Sequence, residues 1–219
     1  QRDDVARVDL LTRRVLDSAV SSDYARREER LSDKVNIVRL DCGEEGYITK
    51  EQLWDSLDTF ADNALSYIRE RQLMPDIIHS HYADAGYVGV RLSSLLGIPL
   101  VHTGHSLGRV KRQRLLASGL KRDEIERQYN ISRRIEVEED VLGAAELVIT
   151  STRQEIEEQY GLYNHYQPEQ MKVVPPGTEL DQFYPPDGSE QNSQMRRELA
   201  RFLKQPDKPF ILAMSRPDA

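Results

Sequence analysis

Residues able to bind an anionic ligand gather in the run His102-Thr103-Gly104-His105-Ser106-Leu107-Gly108-Arg109-Val110-Lys111. It follows the apolar stretch Ile98-Pro99-Leu100-Val101, which reads as a buried strand. In open α/β sheets, ligands bind beyond the carboxyl ends of strands. Glycine lets backbone approach a ligand closely. A histidine in this place can donate to a sugar hydroxyl or steady a developing charge. It can equally be a turn histidine satisfied by backbone. Lys111 can neutralise a phosphate as a point charge, or be a solvated lysine in the first turn of a helix. That helix terminus attracts anions by itself, so a lysine there disfavours the helix and favours a ligand.

Arg133-Arg134 stands among Glu136, Glu138, Glu139 and Asp140. Arginine forks onto phosphate, yet Arg134 and Glu138 also have the i,i+4 spacing of an exposed helical ion pair. His79-Ser80-His81-Tyr82-Ala83-Asp84-Ala85-Gly86 closes a second strand and opens a helix. His79 and His81 can face one side, but no ligand set for a metal accompanies them. His81, Tyr82 and Asp84 can instead hydrogen-bond a polyol. Pro175-Pro176-Gly177 reads as a rigid strand exit, and Trp54 as core. Arg216, after the last strand, can meet a diphosphate or be a loop arginine. No Walker A, G-x-S-x-G or G-x-G-x-x-G motif occurs, so a dinucleotide-dependent dehydrogenase is unsupported.

Strands are expected at 5–11, 36–40, 77–80, 100–103, 147–150, 171–174 and 210–214. The polar segment 17–33 reads as a loop or flap. Leu53, Leu57, Phe60, Ala64 and Ile68 make a helical stripe within 50–72. Further helices are expected at 84–96, ended by Gly97, and at 111–117, 123–145 and 193–204. Thr152 and Glu155 have the spacing of a capping box. Alternating strands and helices imply an α/β fold, a mostly parallel Rossmann-like sheet with helices on both faces. A boundary is expected near 205/206: residues 1–205 form one domain, and 206–219 begin a second.

The 219 residues are 38% hydrophobic and 31% charged, with a formal net charge of −7. That balance suits a globular protein and disfavours global steering to nucleic acid. One cysteine, Cys42, excludes an internal disulfide framework and fits a reducing compartment. No apolar run reaches the ~18 residues of a membrane span. The opening residues are not expected to act as a signal peptide.

HSHYADAGYVGV (79–90), TGHSLGRVK (103–111), YNISRRIEVEE (129–139), VITSTRQEIEEQY (148–160) and VVPPGTELDQF (173–183) occur together. With ARVDLLTR (6–13), RLDCG (39–43), ITKEQLW (48–54) and SRPDA (215–219), the chain resembles the sucrose-phosphate synthases, especially the cyanobacterial type, within the sucrose synthase group of GT-B glycosyltransferases. The resemblance implies the N-terminal acceptor domain of a retaining glucosyltransferase, lacking the family's first strand, its Gly-Gly-Gln loop and most of its donor domain. The expected reaction moves glucose from UDP-glucose to fructose 6-phosphate, giving sucrose 6-phosphate and UDP, without metal or cofactor. Attack would come from the front face, with the donor phosphate taking the acceptor proton. A fragment with these ends is expected to be inactive.

By the same resemblance, Lys50, Lys111 and Arg134 clamp the acceptor phosphate, and Tyr82, Asp84 and Ser106 contact sugar hydroxyls. His105 stands beside the transferred glucosyl group and steadies oxocarbenium-like charge. Arg216 faces the donor diphosphate. The expected setting is the cytoplasm, with a sucrose-phosphate phosphatase as a further partner and neither nucleic acid nor membrane. The alternatives are a sucrose synthase using free fructose, and a sugar-phosphate-binding module without catalysis.

Overall fold

The computed structural model of the protein describes residues 3–181, 183–185, 193–206 and 208. The chain divides into two compact units, Gln1–Pro175 and Pro176–Ala219. In the second, a short helix over Gln194–Ala200 is capped by the Ser193 hydroxyl, which accepts from the Arg196 N–H at 3.2 Å. The strand expected at 210–214, and with it the expected start of a second domain, lies outside the described residues.

The first unit is an α/β structure. Strands β1 (Val8–Arg13), β2 (Glu28–Arg30) and β3 (Val35–Leu40) form one sheet in the order β1-β3-β2. Strands β4 (Ile78–His81), β5 (Leu100–Thr103), β6 (Leu147–Thr150) and β7 (Met171–Val173) form a second, wholly parallel sheet in sequence order. The expected single sheet is thus two ladders among the described residues. Strand β2 corrects the loop expected over 17–33. Its Glu-Glu-Arg sequence has no apolar alternation to announce a strand. It exists by antiparallel pairing with β3, reinforced by an ion pair from the buried Arg39 to Glu29 at 2.7 Å.

Helix α1 (Leu57–Glu70) begins later than its apolar stripe suggested, after a 3-10 turn over Leu53–Ser56. Lys50 therefore sits in a turn before it. Helix α2 (Tyr82–Leu96) starts directly at the end of β4 and stops at Gly97, whose φ of +68° is left-handed. Helix α3 (Gly108–Ala117) places Lys111 in its first turn. The long helix expected over 123–145 is two: α4 (Arg122–Tyr129) and α5 (Ile131–Ala144). Asn130 separates them in the left-handed conformation (φ 46°, ψ 45°), one of the few non-glycine residues that tolerates it. Ile125 and Ile131 would lie about 120° apart around an unbroken helix. The break lets both enter one apolar cluster with Leu100, Leu142 and Val148.

A second cluster joins Val38 and Leu40 of β3 to Trp54, α1, α2 and the Val137 and Val141 side of α5. There α2 and α5 meet closely. A Cβ on Gly86 would stand 2.7 Å from Val141 Cγ2, so this crossing requires glycine. The Thr152–Glu155 capping pair forms: the Glu155 N–H donates to Thr152 Oγ1 at 3.1 Å, and the Glu155 carboxylate accepts from the Ser151 N–H at 3.0 Å.

Candidate functional site

Three cations converge on one narrow cleft. Lys50, from the turn before α1, Lys111, from the first turn of α3, and Arg134 of α5 line it with Tyr82, Asp84, Trp54, Glu51 and Tyr129. Neither lysine forms an ion pair among the described residues. Each lies against an aromatic face: Lys111 Nζ is 3.7 Å from the centre of the Tyr129 ring, and Lys50 Nζ is 5.6 Å from that of Tyr82. The Arg134 guanidinium carbon stands 4.4 Å from the Tyr82 ring. Ring quadrupoles attract cations and leave their net charge uncancelled. Burial, then Lys50 and Arg134 nearby, lower the Lys111 pKa from the ordinary lysine value. An anion entering the cleft relieves that repulsion. Burial instead raises the pKa of Asp84, against the pull of its backbone bonds, Arg134 and Lys50.

A larger opening of about 500 Å³ adjoins, between Thr49, Glu51 and Gln52 and the end of α4 at Tyr129 and Asn130. It collects no cluster of cations. The smaller cleft is the candidate site because charge, rather than volume, selects a phosphate.

Arg134 is locked from behind. It is 4% exposed and its partner Glu138 3%. Arg134 Nε donates to Glu138 Oε1 at 2.8 Å, and Nη2 donates to the Ser106 carbonyl and, at 3.1 Å, to Ser106 Oγ. Nη1 has no hydrogen-bond partner among the described residues. The Glu138 carboxylate also accepts from the Gly108 N–H at 3.0 and 2.8 Å and from the Tyr163 hydroxyl. It thereby pins the start of α3, which carries Lys111. A Cβ on Gly108 would come within 2.8 Å of Glu138 Oε2, so glycine admits the carboxylate.

At the ends of β4 and β5 the strand alternation sorts three histidines, and a fourth, His105, follows β5. Ser80 and His102 are buried and bonded, Oγ to Nδ1, at 2.9 Å. Burial lowers the His102 pKa to about 3, with the other three imidazoles adding to the effect. On the other side, His79 Nε2 meets Thr103 Oγ1 at 2.9 Å and His81 Nδ1 meets His105 Nε2 at 2.8 Å. Two residues here hold positive φ without being glycine, Tyr82 (+74°) and His105 (+59°). Such strain concentrates at functional sites.

Residues 1–177 match a family model described as a glycosyl transferase 4-like domain. The chain belongs to that family. Similar relatives are the probable sucrose-phosphate synthase 2 of Arabidopsis thaliana, 38% identical over 270 aligned residues, and the sucrose-phosphate synthase of Zea mays, 39% identical over 280. Each alignment covers 98% of this chain and 26% of the relative. The chain therefore spans about a quarter of the length of these curated relatives. A solved structure of the sucrose-phosphate synthase of Thermosynechococcus elongatus superposes with a TM-score of 0.66 at 28% identity, covering 84% of this chain and 41% of that one.

Within this glycosyl transferase 4-like domain, the structure brings together Lys50, Lys111, Arg134, Tyr82 and Asp84. Ser106 joins them through Arg134. His105 does not line the cation cleft but borders it through His81, which precedes Tyr82. Arg216 lies outside the described residues. The solvated ion pair that the spacing allowed for Arg134 and Glu138 is corrected to a buried one. Tyr129 and Tyr163 are the residues the sequence reading missed, and Glu138 stood in it only as an exposed partner of Arg134. The i,i+4 spacing flagged Glu138, but a pattern of charges does not tell which helix face is covered. Among the described residues no group of three or more His, Cys, Asp or Glu side chains can hold a metal ion. None of the described helices is long and apolar enough to cross a membrane.

Proposed function

We propose that this chain is the acceptor-binding part of a retaining glucosyltransferase of sucrose synthesis, which transfers glucose from UDP-glucose to fructose 6-phosphate. One observation carries the reading. Two lysines resting on tyrosine rings and a carboxylate-backed arginine share a cleft, and a dianion satisfies all three. Lys50, Lys111 and Nη1 of Arg134 hold the phosphate. Tyr82, Asp84 and Ser106 take sugar hydroxyls, and His105 meets the glucosyl group on the side of β4 and β5. Arg216, the donor diphosphate it would face, a downstream phosphatase and a cytoplasmic setting belong to the same proposal. The names of the relatives and the overlap of their chains with this one support it.

Trp54 lines the cleft and is the single tryptophan, so its fluorescence reports ligand entry. Titration with fructose 6-phosphate is expected to saturate, with fructose at least tenfold weaker. Lys111→Met removes one charge-assisted contact of about 1.5–3 kcal/mol, so affinity for the phosphorylated sugar falls about 10- to 150-fold. Because Lys111 is charged at an electrostatic cost, the ligand-free variant keeps or raises its melting temperature. Equal binding of both sugars would favour the free-fructose alternative, and binding of neither overturns the assignment. Formation of sucrose 6-phosphate by the full-length protein separates an enzyme from a module that only binds.

A further inference from the structure

Residues 104–109 carry His105 and Ser106 and lead into α3, which carries Lys111. Two buried tyrosines, Tyr160 and Tyr163, lie beneath this loop. A 3-10 turn over Tyr160–Leu162 joins them, closed by the Tyr163 N–H on the Tyr160 carbonyl at 2.9 Å. Residues three apart in such a turn lie over one another, so both phenols reach the same loop. Tyr160 Oη accepts from the Gly104 N–H at 3.2 Å, and Tyr163 Oη accepts from the Arg109 N–H at 3.0 Å. A backbone N–H can only donate, so the direction of both bonds is settled.

The two supports act at opposite ends of the loop. Tyr160 holds the residue before His105, whose φ of +59° is left-handed. A Cβ on Gly104 would stand 2.6 Å from Tyr160 Oη, so glycine here admits the supporting phenol. Tyr163 holds one of the N–H groups that the first turn of α3 leaves without an intrahelical partner. It passes its own hydrogen to Glu138, which holds Gly108 and Arg134. Between the two ends, Leu107 is buried in the same apolar cluster as both rings. Burial pushes the Tyr160 pKa up to about 12 and raises that of Tyr163, with Glu138 adding to the second, so both phenols stay neutral.

We propose that Tyr160 and Tyr163 are positioning residues with divided tasks. Tyr160 sets the backbone that presents His105, and Tyr163 sets the start of α3 that presents Lys111, with Arg134 reached through Glu138. Loss of one hydroxyl leaves one amide without its acceptor and frees only that end of the loop, because Leu107 pins the middle. The consequence for catalysis and for phosphate binding rests on the proposed function; the two separate supports do not.

Tyr160→Phe and Tyr163→Phe each delete one oxygen and keep the ring in the core. Amide hydrogen exchange of the chain, resolved by NMR, reads the two ends directly. Tyr160→Phe is expected to speed exchange at Gly104 about tenfold with Arg109 unchanged, and Tyr163→Phe to do the reverse. A variant that leaves its own amide unchanged, or that speeds both alike, overturns the proposal. In the full-length protein, Tyr160→Phe is expected to lower kcat about tenfold with KM for fructose 6-phosphate unchanged, and Tyr163→Phe to raise that KM about tenfold with kcat unchanged. Both parameters worsening together in both variants marks general loosening and overturns the division of tasks. Local exchange with neither parameter changed upholds the two supports and refutes the roles given to His105 and Lys111.

Discussion

Replacing Glu138 by glutamine tests the architecture behind the cleft. Three donors, the Gly108 N–H, Arg134 Nε–H and the Tyr163 hydroxyl, are aimed at the two oxygens of one carboxylate. Glutamine keeps the shape but exchanges one acceptor oxygen for a donor amide, so at least one of the three loses its acceptor. It also leaves the Arg134 guanidinium buried without its counter-charge. Breaking a buried pair from one side costs about 3–5 kcal/mol. With a urea slope of about 3 kcal/mol/M for a chain of this size, the unfolding midpoint falls by about 1–2 M. Trp54, 6% exposed in the core, provides the fluorescence signal. Arg134→Gln costs a similar amount, but the double variant costs less than the sum, because neither charge is then stranded. A midpoint shift for Glu138→Gln below about 0.3 M, or strict additivity, would refute the claim that this pair is buried and mutually dependent.

His102 gives stability a pH slope. Its folded pKa of about 3 lies below the unfolded 6.5, so as pH falls through 6.5 the unfolded chain takes up a proton that the folded chain refuses. Stability from this group is intact above 6.5 and declines toward pH 3, by up to about 2 kcal/mol at pH 5. Urea midpoints at the two ends of that range should converge in His102→Gln, and an unchanged slope argues against the assignment. At the helix break, Asn130→Ala is expected to lose about 1–2 kcal/mol through the left-handed backbone, while Asn130→Gly is neutral within about 0.5 kcal/mol. Equal thermal stability of those two variants contradicts the role given to that residue.

The parallel strands β4 to β7 were legible because apolar residues (Ile77 and Ile78, Leu100 and Val101, Leu147 to Ile149, Val173 and Val174) stand where each strand meets polar chemistry, and Gly97 announced its helix end. Lys50, Lys111 and Arg134 were legible as types but not as a site, since 84 positions of chain separate Lys50 from Arg134. The resemblance, not the spacing, joined them. Strand β2 was illegible because its stability comes from pairing with β3 rather than from its own residues. The helix break at Asn130 was hidden for a related reason. Asparagine costs little in a helix until tertiary packing asks Ile125 and Ile131 to share one cluster.

That break also explains the chemistry of the cleft. It places Tyr129 at the end of α4, where its ring lies against Lys111. An aromatic face holds an ammonium group in place without neutralising it, whereas a carboxylate in front of the lysine would compete with any phosphate. The carboxylate that orients this site is set behind Arg134 instead, with its oxygens turned to Arg134 Nε, Gly108 and Tyr163 and away from Nη1. Negative charge therefore fixes the arginine from the rear, and tyrosine rings fix the cations from the side. The cleft thus holds three cations against the two carboxylates that also line it, Asp84 and Glu51, in a chain whose net charge is −7.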